Sequence, residues 1–155
     1  MRFSVIMPLY NKGPYVEKAL RSILSQTFPD FELIIVNDGS QDVSLAIANR
    51  VLEGTGAIVI DQENAGVSTA RNNGVATSHG DYLCFLDADD WWEPTFLERM
   101  NWFIEKYPEA KLFATNYFYI KNGRPGNHDA WDVFRDIESR PCIYSSGAVL
   151  QIWPI

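Results

Sequence analysis

Short apolar runs alternate with segments of helical periodicity along the first two thirds of the chain. Runs of four or five mostly apolar residues predict strands at 3–7, 33–36, 57–60 and 82–86. The segments between them predict helices over 16–24, 43–51 and 66–77, most clearly where Val16, Leu20 and Leu24 recur at helical spacing. Pro8 is expected to end the first strand, because proline has no N–H for a strand ladder.

This order of elements predicts the fold class. Continuous apolar strands are typical of a parallel sheet that is covered on both faces, and helical crossovers between such strands are right-handed. We therefore expect an α/β protein with a doubly wound, mainly parallel sheet and helices on both faces.

The pattern changes after the fourth strand. A further helix is expected to begin near Pro94 and to end before Pro108, and 112–119 predicts a fifth strand. Residues 121–129 are rich in Gly, Asn and Pro and predict a loop, and 143–152 is apolar again. The regular α/β pattern thus covers 1–119, and the loop-rich part covers 120–155.

Composition narrows the possible functions. The 155 residues suit one domain, with 46% hydrophobic residues to form a core. The net charge of −7 argues against a nucleic-acid partner, because phosphate neutralisation requires clustered Lys and Arg. An anionic ligand would need a metal ion or a few well-placed cations.

Cysteine usage and hydropathy predict the compartment. Two cysteines form no disulfide framework, and Cys84 lies inside a predicted buried strand. The apolar stretch at the N-terminus is too short for a signal peptide, and no segment approaches the ~20 apolar residues of a membrane span. We expect a cytoplasmic protein, with peripheral contact at the inner face of the membrane.

Asp87, Asp89 and Asp90 directly follow the fourth predicted strand. Ligands of open α/β sheets bind beyond the carboxyl ends of the strands, and three acids within four residues repel one another unless a cation or protons compensate them. A Mg²⁺ or Mn²⁺ ion that bridges the carboxylates to a diphosphate would compensate this repulsion. The alternative is a solvated turn whose acids cap the following helix.

Two further charged residues are candidates for ligand contacts. Asp38 ends the second strand and could accept a hydrogen bond from a base or a ribose, or could build an Asx turn with Gly39. Arg71 has no partner nearby in sequence and could bind phosphate or a base edge, or could form a surface salt bridge. Tyr10 and Trp91 could stack on a ligand or pack against the protein.

Four motifs, in this order, resemble the inverting family-two glycosyltransferases of the GT-A fold. They are VIMPLYN at 5–11, VNDGSQD at 36–42, NAGVSTARNNG at 64–74 and FLDADDWWEP at 85–94. The resemblance covers 2 to about 119 closely, and 145–150 looks like the start of the acceptor-side half of that family. It implies a GT-A fold that is incomplete on the acceptor side.

The resemblance also implies site residues. A nucleotide-diphospho-sugar, most simply a UDP-sugar, would bind with Mn²⁺ or Mg²⁺, and Asp89 would contact the metal ion. The other residues implied in donor binding line the base and ribose, contact the base or phosphate, or belong to the DxD motif: Pro8, Tyr10, Asn11, Asp38, Arg71, Asp87 and Ala88.

The activity implied is transfer of a sugar, with inversion, to a glycan or lipid-linked acceptor in surface-polysaccharide synthesis. Inversion needs a general base for the acceptor hydroxyl, and the family supplies it from an acidic motif well after the DxD. No such motif follows Gly147, so the base is expected beyond Ile155, and this chain alone is expected to be inactive and to self-associate. The alternative is a non-catalytic nucleotide-sugar-binding domain.

Overall fold

The computed structural model describes residues 1–113 and 115, and the backbone of three two-residue strands further along the chain. Strands and helices alternate as the sequence predicts. They are β1 (Phe3–Leu9), α1 (Gly13–Leu24), β2 (Phe31–Asp38), α2 (Ser44–Leu52), β3 (Ile58–Gln62), α3 (Val67–Thr77), β4 (Tyr82–Phe85) and α4 (Phe96–Lys106). The short strands are β5 (Ile120–Lys121), β6 (Arg124–Pro125) and β7 (Trp153–Pro154).

The described strands of the main sheet lie in the order β3-β2-β1-β4-β7. The first four are parallel to one another, and β7 pairs antiparallel with β4 at the edge. The strand order reverses between β1 and β4, which is the arrangement that opens a ligand crevice in doubly wound sheets. The predicted fold class is confirmed.

Helices cover both faces of the sheet. The larger core joins alternate residues of β1, such as Val5 and Met7, to the apolar faces of α1, α2 and α4. On the other face, Ile6 packs with Ala70 of α3 and with apolar residues of β2 and β4. Because β1 is buried on both faces, its sequence is apolar at every position except Ser4 and shows no alternation of apolar and polar residues.

Helix α3 lies close to the sheet because it has a glycine in its contact face. A Cβ on Gly74 would collide with the Ile6 side chain and would lie 3.4 Å from the Val36 side chain. A larger residue would therefore push α3 away from β1 and β2, and with it the loop that precedes the helix.

The sequence prediction placed the end of β1 too early. Pro8 continues the strand, which runs to Leu9. Leu86 N donates to Ile6 O at 3.1 Å, so the backbone groups of Ile6 face β4. Backbone groups alternate in direction along a strand, and those of Pro8, two residues later, therefore face the same side. The β1–β4 pairing stops at Ile6, so the missing N–H of Pro8 removes no ladder hydrogen bond.

Other boundaries differ by small amounts. Helix α4 begins two residues after Pro94, and the segment predicted as a loop at 121–129 includes part of the β5–β6 antiparallel pair. Most of the predicted strand at 112–119, and all of the apolar segment at 143–152, lie outside the described residues.

Within the described residues, no helix combines the length and the hydropathy needed to cross a bilayer.

A buried polar cluster joins β1 and β2 at the amino ends of the strands, opposite the crevice. Ser4 and Glu32 are paired in the strand register, and Ser4 Oγ and His79 N both donate to Glu32 Oε1 at 2.5 Å. Gly80 N donates to Ser4 Oγ at 2.8 Å, so the loop before β4 is tied to both strands. Burial raises the pKa of the Glu32 carboxyl, but the hydrogen bonds from Ser4 and His79 outweigh it, and the pKa lies below 4.5.

Glu32→Gln should lower the free energy of unfolding at pH 7 by about 1–2 kcal/mol, because charge-assisted hydrogen bonds become neutral ones. A carboxyl whose pKa is lowered by folding stabilises the fold above its unfolded pKa of 4.5 and loses that effect as the pH falls through the folded pKa. The difference between variant and wild type should thus shrink below pH 4.5. Urea unfolding at several pH values measures it, with exposed Glu53→Gln as control, and a pH-independent difference would contradict the assignment.

Candidate functional site

A crevice of about 450 Å³ lies at the carboxyl ends of β1, β2 and β4, where the strand order reverses. Loops converge on this edge because each parallel strand ends there. The crevice is lined by Pro8, Leu9, Tyr10, Lys12, Asp38, Asn64, Gly66, Val67, Asp87, Ala88 and Asp89.

Two of the clustered acids are each paired with a basic side chain from a distant part of the chain. Arg71 of α3 donates from Nη2 to Asp87 Oδ1 at 2.7 Å. Lys12, between β1 and α1, donates from Nζ to Asp89 Oδ2 at 2.5 Å. The hydrogen bond to Asp89 raises the pKa of Lys12, which further favours the charged ammonium. Part of the predicted repulsion between the acids is therefore relieved by the protein itself.

Asp90 differs from its two neighbours. The residue is exposed overall, yet partial desolvation of its carboxyl raises its pKa, and the negative charges of Asp89 and Asp87 raise it further. Thr95, not Asp90, precedes the first turn of α4, and that turn contains Glu98. The alternative in which this acid caps the next helix is therefore wrong.

Asp38 is buried, with 3% of its surface exposed, and its carboxylate already has partners. Oδ1 accepts from Gln62 Nε2 and Ala65 N, both at 2.8 Å, and Oδ2 accepts from Gly66 N at 2.9 Å. The carboxylate thus fastens the loop before α3 to the end of β2. The Asx-turn alternative is wrong for this residue, because the side chain that accepts a hydrogen bond from Ser40 N is that of Asn37.

Gly39 is required where this loop passes the end of β2. Its φ is +70°, and a Cβ there would lie 2.9 Å from Asn64 N. The Asn64 side chain donates to Asp38 O at 3.0 Å, so the two loops are in direct contact. A side chain at position 39 would separate them and widen this side of the crevice.

The loop after β1 is fastened to the loop after β2 in the same manner. Asn11 has a φ of 51°, the only positive value among the described non-glycine residues, and its Oδ1 accepts from Gln41 N at 2.8 Å. Lys12 N donates to Ser44 Oγ at 2.7 Å, and Gly13 N donates to an Asp42 carboxylate oxygen at 3.0 Å. These contacts fix the backbone from which the Lys12 side chain reaches Asp89.

The structure brings most of the predicted residues together. Six of them line the crevice: Pro8, Tyr10, Asp38, Asp87, Ala88 and Asp89. Arg71 reaches this group through Asp87, and its buried Nε has no hydrogen-bond partner among the described residues. Asn11 holds the loop after β1 to the loop after β2 through its hydrogen bond with Gln41 N. Lys18 Nζ covers the face of the Trp91 ring at 3.0 Å from the ring centre.

Sequence reasoning missed five residues that line the crevice: Leu9, Lys12, Asn64, Gly66 and Val67. Lys12 could have been found, because it is the one basic residue between β1 and the start of α1 and lies opposite an acidic cluster. The positions of Asn64 and Val67 follow from the loop that Asp38 holds, and their residue types carry no indication of it.

The described residues contain no group of three or more His, Cys, Asp or Glu side chains arranged to hold a metal ion. Mg²⁺ and Mn²⁺ bound to nucleotides nevertheless need few protein ligands, since phosphate oxygens and water complete the coordination. A cation, the Lys12 ammonium, already lies on Asp89. The Asp89 carboxylate, which binds a cation at the edge of an open crevice, is therefore suited to bind Mg²⁺ or Mn²⁺ as well.

Known proteins resemble this chain in sequence. The profile described as "Glycosyl transferase family 2" matches residues 4–146. Glycosyltransferase GlyA of Streptococcus pneumoniae serotype 4 is 41% identical over 118 residues, which are 76% of this chain and 17% of that protein. The minor teichoic acid biosynthesis protein GgaB of Bacillus subtilis is 38% identical over 149 residues, 90% of this chain and 16% of that protein. The chain thus spans a small part of the length of both relatives.

A solved structure shows the same fold. The crystal structure of S. aureus TarS 1–349 in complex with UDP-GlcNAc superposes with a TM-score of 0.70 at 28% identity and covers 83% of this chain and 37% of that chain. The GT-A architecture implied by the four motifs is confirmed. With a family profile that spans most of its length and relatives at about 40% identity, the chain belongs to glycosyl transferase family 2.

Proposed function

We propose that residues 1–119 bind a nucleotide-diphospho-sugar, a UDP-sugar, together with Mn²⁺ or Mg²⁺. The whole protein would transfer the sugar, with inversion, to a glycan or lipid-linked acceptor during surface-polysaccharide synthesis at the cytoplasmic face of the membrane. The observation that carries the proposal is the pair of acid–base contacts, Asp87 with Arg71 and Asp89 with Lys12, in a crevice at the reversal of strand order.

The charges of the crevice suit a diphosphate held through a metal ion. A diphosphate alone would meet the carboxylates of Asp87 and Asp89, which repel it. A divalent ion on Asp89 would reverse that repulsion and would also stabilise the negative charge that the leaving nucleoside diphosphate gains as the glycosidic bond breaks.

The relatives support the donor and the acceptor class. TarS was crystallised with UDP-GlcNAc, which supports a UDP-sugar as donor for this chain. GgaB is named for minor teichoic acid biosynthesis, and a second relative, TuaG of Bacillus subtilis, is named as a putative teichuronic acid biosynthesis glycosyltransferase. Both names refer to the biosynthesis of a surface polymer, which supports a role in surface-polysaccharide synthesis for this chain.

Residue roles follow from position in the crevice. Tyr10, with 44% of its surface exposed, can stack on the base beside Pro8. Asp38 accepts three hydrogen bonds, and a carboxylate has about four acceptor positions, so one remains for a base N–H. Arg71 would hold Asp87 toward the ribose or turn to the base or phosphate.

We predict that UDP binds at least about tenfold more tightly with Mn²⁺ than with EDTA, the equivalent of one charge-assisted contact. Asp89→Ala should abolish the difference, because the carboxylate would no longer share the ion with the diphosphate. Isothermal titration calorimetry measures both affinities. Asp81→Ala removes the same charge from an exposed carboxylate far from the crevice and should retain the metal dependence. Full metal dependence in the Asp89 variant would refute the metal assignment.

Asp38→Ala should weaken UDP binding by at least about tenfold, because a charged hydrogen-bond partner of the base is worth on the order of 1.5–3 kcal/mol. It should also lower the free energy of unfolding, because Ala65 N and Gly66 N lose their acceptor. Gln62→Ala is the control, since it removes one support of the carboxylate and leaves the acid in place. Equal loss of UDP binding in the two variants would show that Asp38 acts by holding the loop.

The second candidate, a non-catalytic nucleotide-sugar-binding domain, is favoured by the state of the crevice acids. Of the described residues that line the crevice, the acids are Asp38, Asp87 and Asp89, and each already has a partner. In this structure each of them holds a loop or a basic side chain, and none of the three is set apart as a base for an acceptor hydroxyl. Asp129, Asp132 and Asp136 lie outside the described residues.

Incubation of the chain with Mn²⁺, UDP-sugars and simple glycan acceptors should accordingly give donor binding without detectable transfer, since loss of a general base costs ~10²–10⁴-fold. Release of UDP, measured by a coupled assay, decides the point. The control is the same mixture without acceptor, which measures hydrolysis. Metal-dependent transfer above that level would show that the base lies within these 155 residues.

A further inference from the structure

Lys12 binds the carboxylate of Asp89, for which a divalent metal ion would compete. Its Nζ is 2.5 Å from Asp89 Oδ2, and the two side chains are 39% and 40% exposed, so ions and ligands can reach the pair. The negative charge of Asp87 also acts on the ammonium. The Lys12 side chain lines the crevice in which the donor is proposed to bind.

The backbone of Lys12 is fixed and its side chain is long. Lys12 N donates a hydrogen bond to Ser44 Oγ. The residues on either side, Asn11 and Gly13, are hydrogen-bonded to the loop after β2. A lysine ammonium on a four-carbon stem is a mobile point charge with three donors. The side chain can therefore exchange one anionic partner for another within the crevice while the loop stays in place.

The balance of charge makes that exchange depend on two ligands at once. Three acids, Asp87, Asp89 and Asp90, lie beside two basic side chains, Arg71 and Lys12. A divalent ion arriving alone would have to displace the ammonium from Asp89 and would then lie beside it, which is unfavourable. A diphosphate arriving with the ion offers the displaced ammonium a new anionic partner.

We propose that Lys12 couples metal binding to diphosphate binding: it holds Asp89 in the empty crevice and moves to the diphosphate when a divalent ion takes that carboxylate. The proposal rests on the proposed function of the crevice. It predicts that removing Lys12 changes the affinities for free ion and for nucleotide in opposite directions.

The test measures Mn²⁺ binding by electron paramagnetic resonance of the free ion, and UDP binding by calorimetry. The full 155-residue chain is compared with Lys12→Met, which removes the charge and keeps an unbranched apolar side chain. Without nucleotide, the variant should bind Mn²⁺ about two- to fivefold more tightly, the range expected when a partly exposed ion pair no longer competes. At saturating Mn²⁺, it should bind UDP about tenfold more weakly, because a charge-assisted contact is lost.

Lys18→Met is the matched control, because Lys18 lies on the adjacent helix α1 and its ammonium covers the Trp91 ring instead of an acid. It should leave both affinities within about twofold of wild type. Lys12→Gln gives a second neutral variant with a polar side chain and should reproduce the result for Lys12→Met. Circular dichroism verifies that each variant is folded.

The outcomes separate this inference from the proposed function. If wild type binds UDP in a Mn²⁺-dependent manner and Lys12→Met leaves either affinity unchanged, or lowers both, the coupling role is overturned while the donor site stands. If wild type binds no UDP with Mn²⁺, the proposed function fails, and the coupling role fails with it. Opposite shifts in both neutral variants, with Lys18→Met unchanged, support the coupling role.

Discussion

The site depends on compensation of the carboxylates that follow β4. Asp87 and Asp89 lie together at the end of a strand, where their like charges would repel each other if they were left unpaired. The protein supplies Arg71 from α3 and Lys12 from the loop after β1, so two crossovers of the chain meet at this acidic cluster. The fold therefore determines the charge balance, because the strand order that opens the crevice also places the basic side chains of Arg71 and Lys12 beside the acids.

Hydrogen bonds from loop backbone amides to side-chain oxygens fix the loops that carry these two basic residues. Asp38 accepts from the two amides that precede α3, and Asp42 and Ser44 accept from the amides that begin α1. These contacts join the loops after β1, β2 and β3 to one another, so the crevice wall is a connected set of loops. The positive φ of Asn11 belongs to the same set.

Membership of glycosyl transferase family 2 and the structural likeness to TarS agree with this architecture. The relatives are much longer than the chain, and what they do as whole proteins involves sequence that this chain does not match. The structure accordingly describes a crevice and its charges in the part of the chain that these relatives match.

The sequence by itself determined the alternation of strands and helices, the parallel sheet and the acidic cluster, because apolar periodicity and strand-end position are local properties of the chain. It could not determine that Lys12 pairs with Asp89 across 77 positions, or that Asp38 is occupied by loop amides, because each contact joins residues from separate strand ends. It also ended β1 at Pro8, since the cost of a missing N–H depends on whether a neighbouring strand is there to accept it. Tertiary structure decided these points because hydrogen bonds and charge pairs form between neighbours in space.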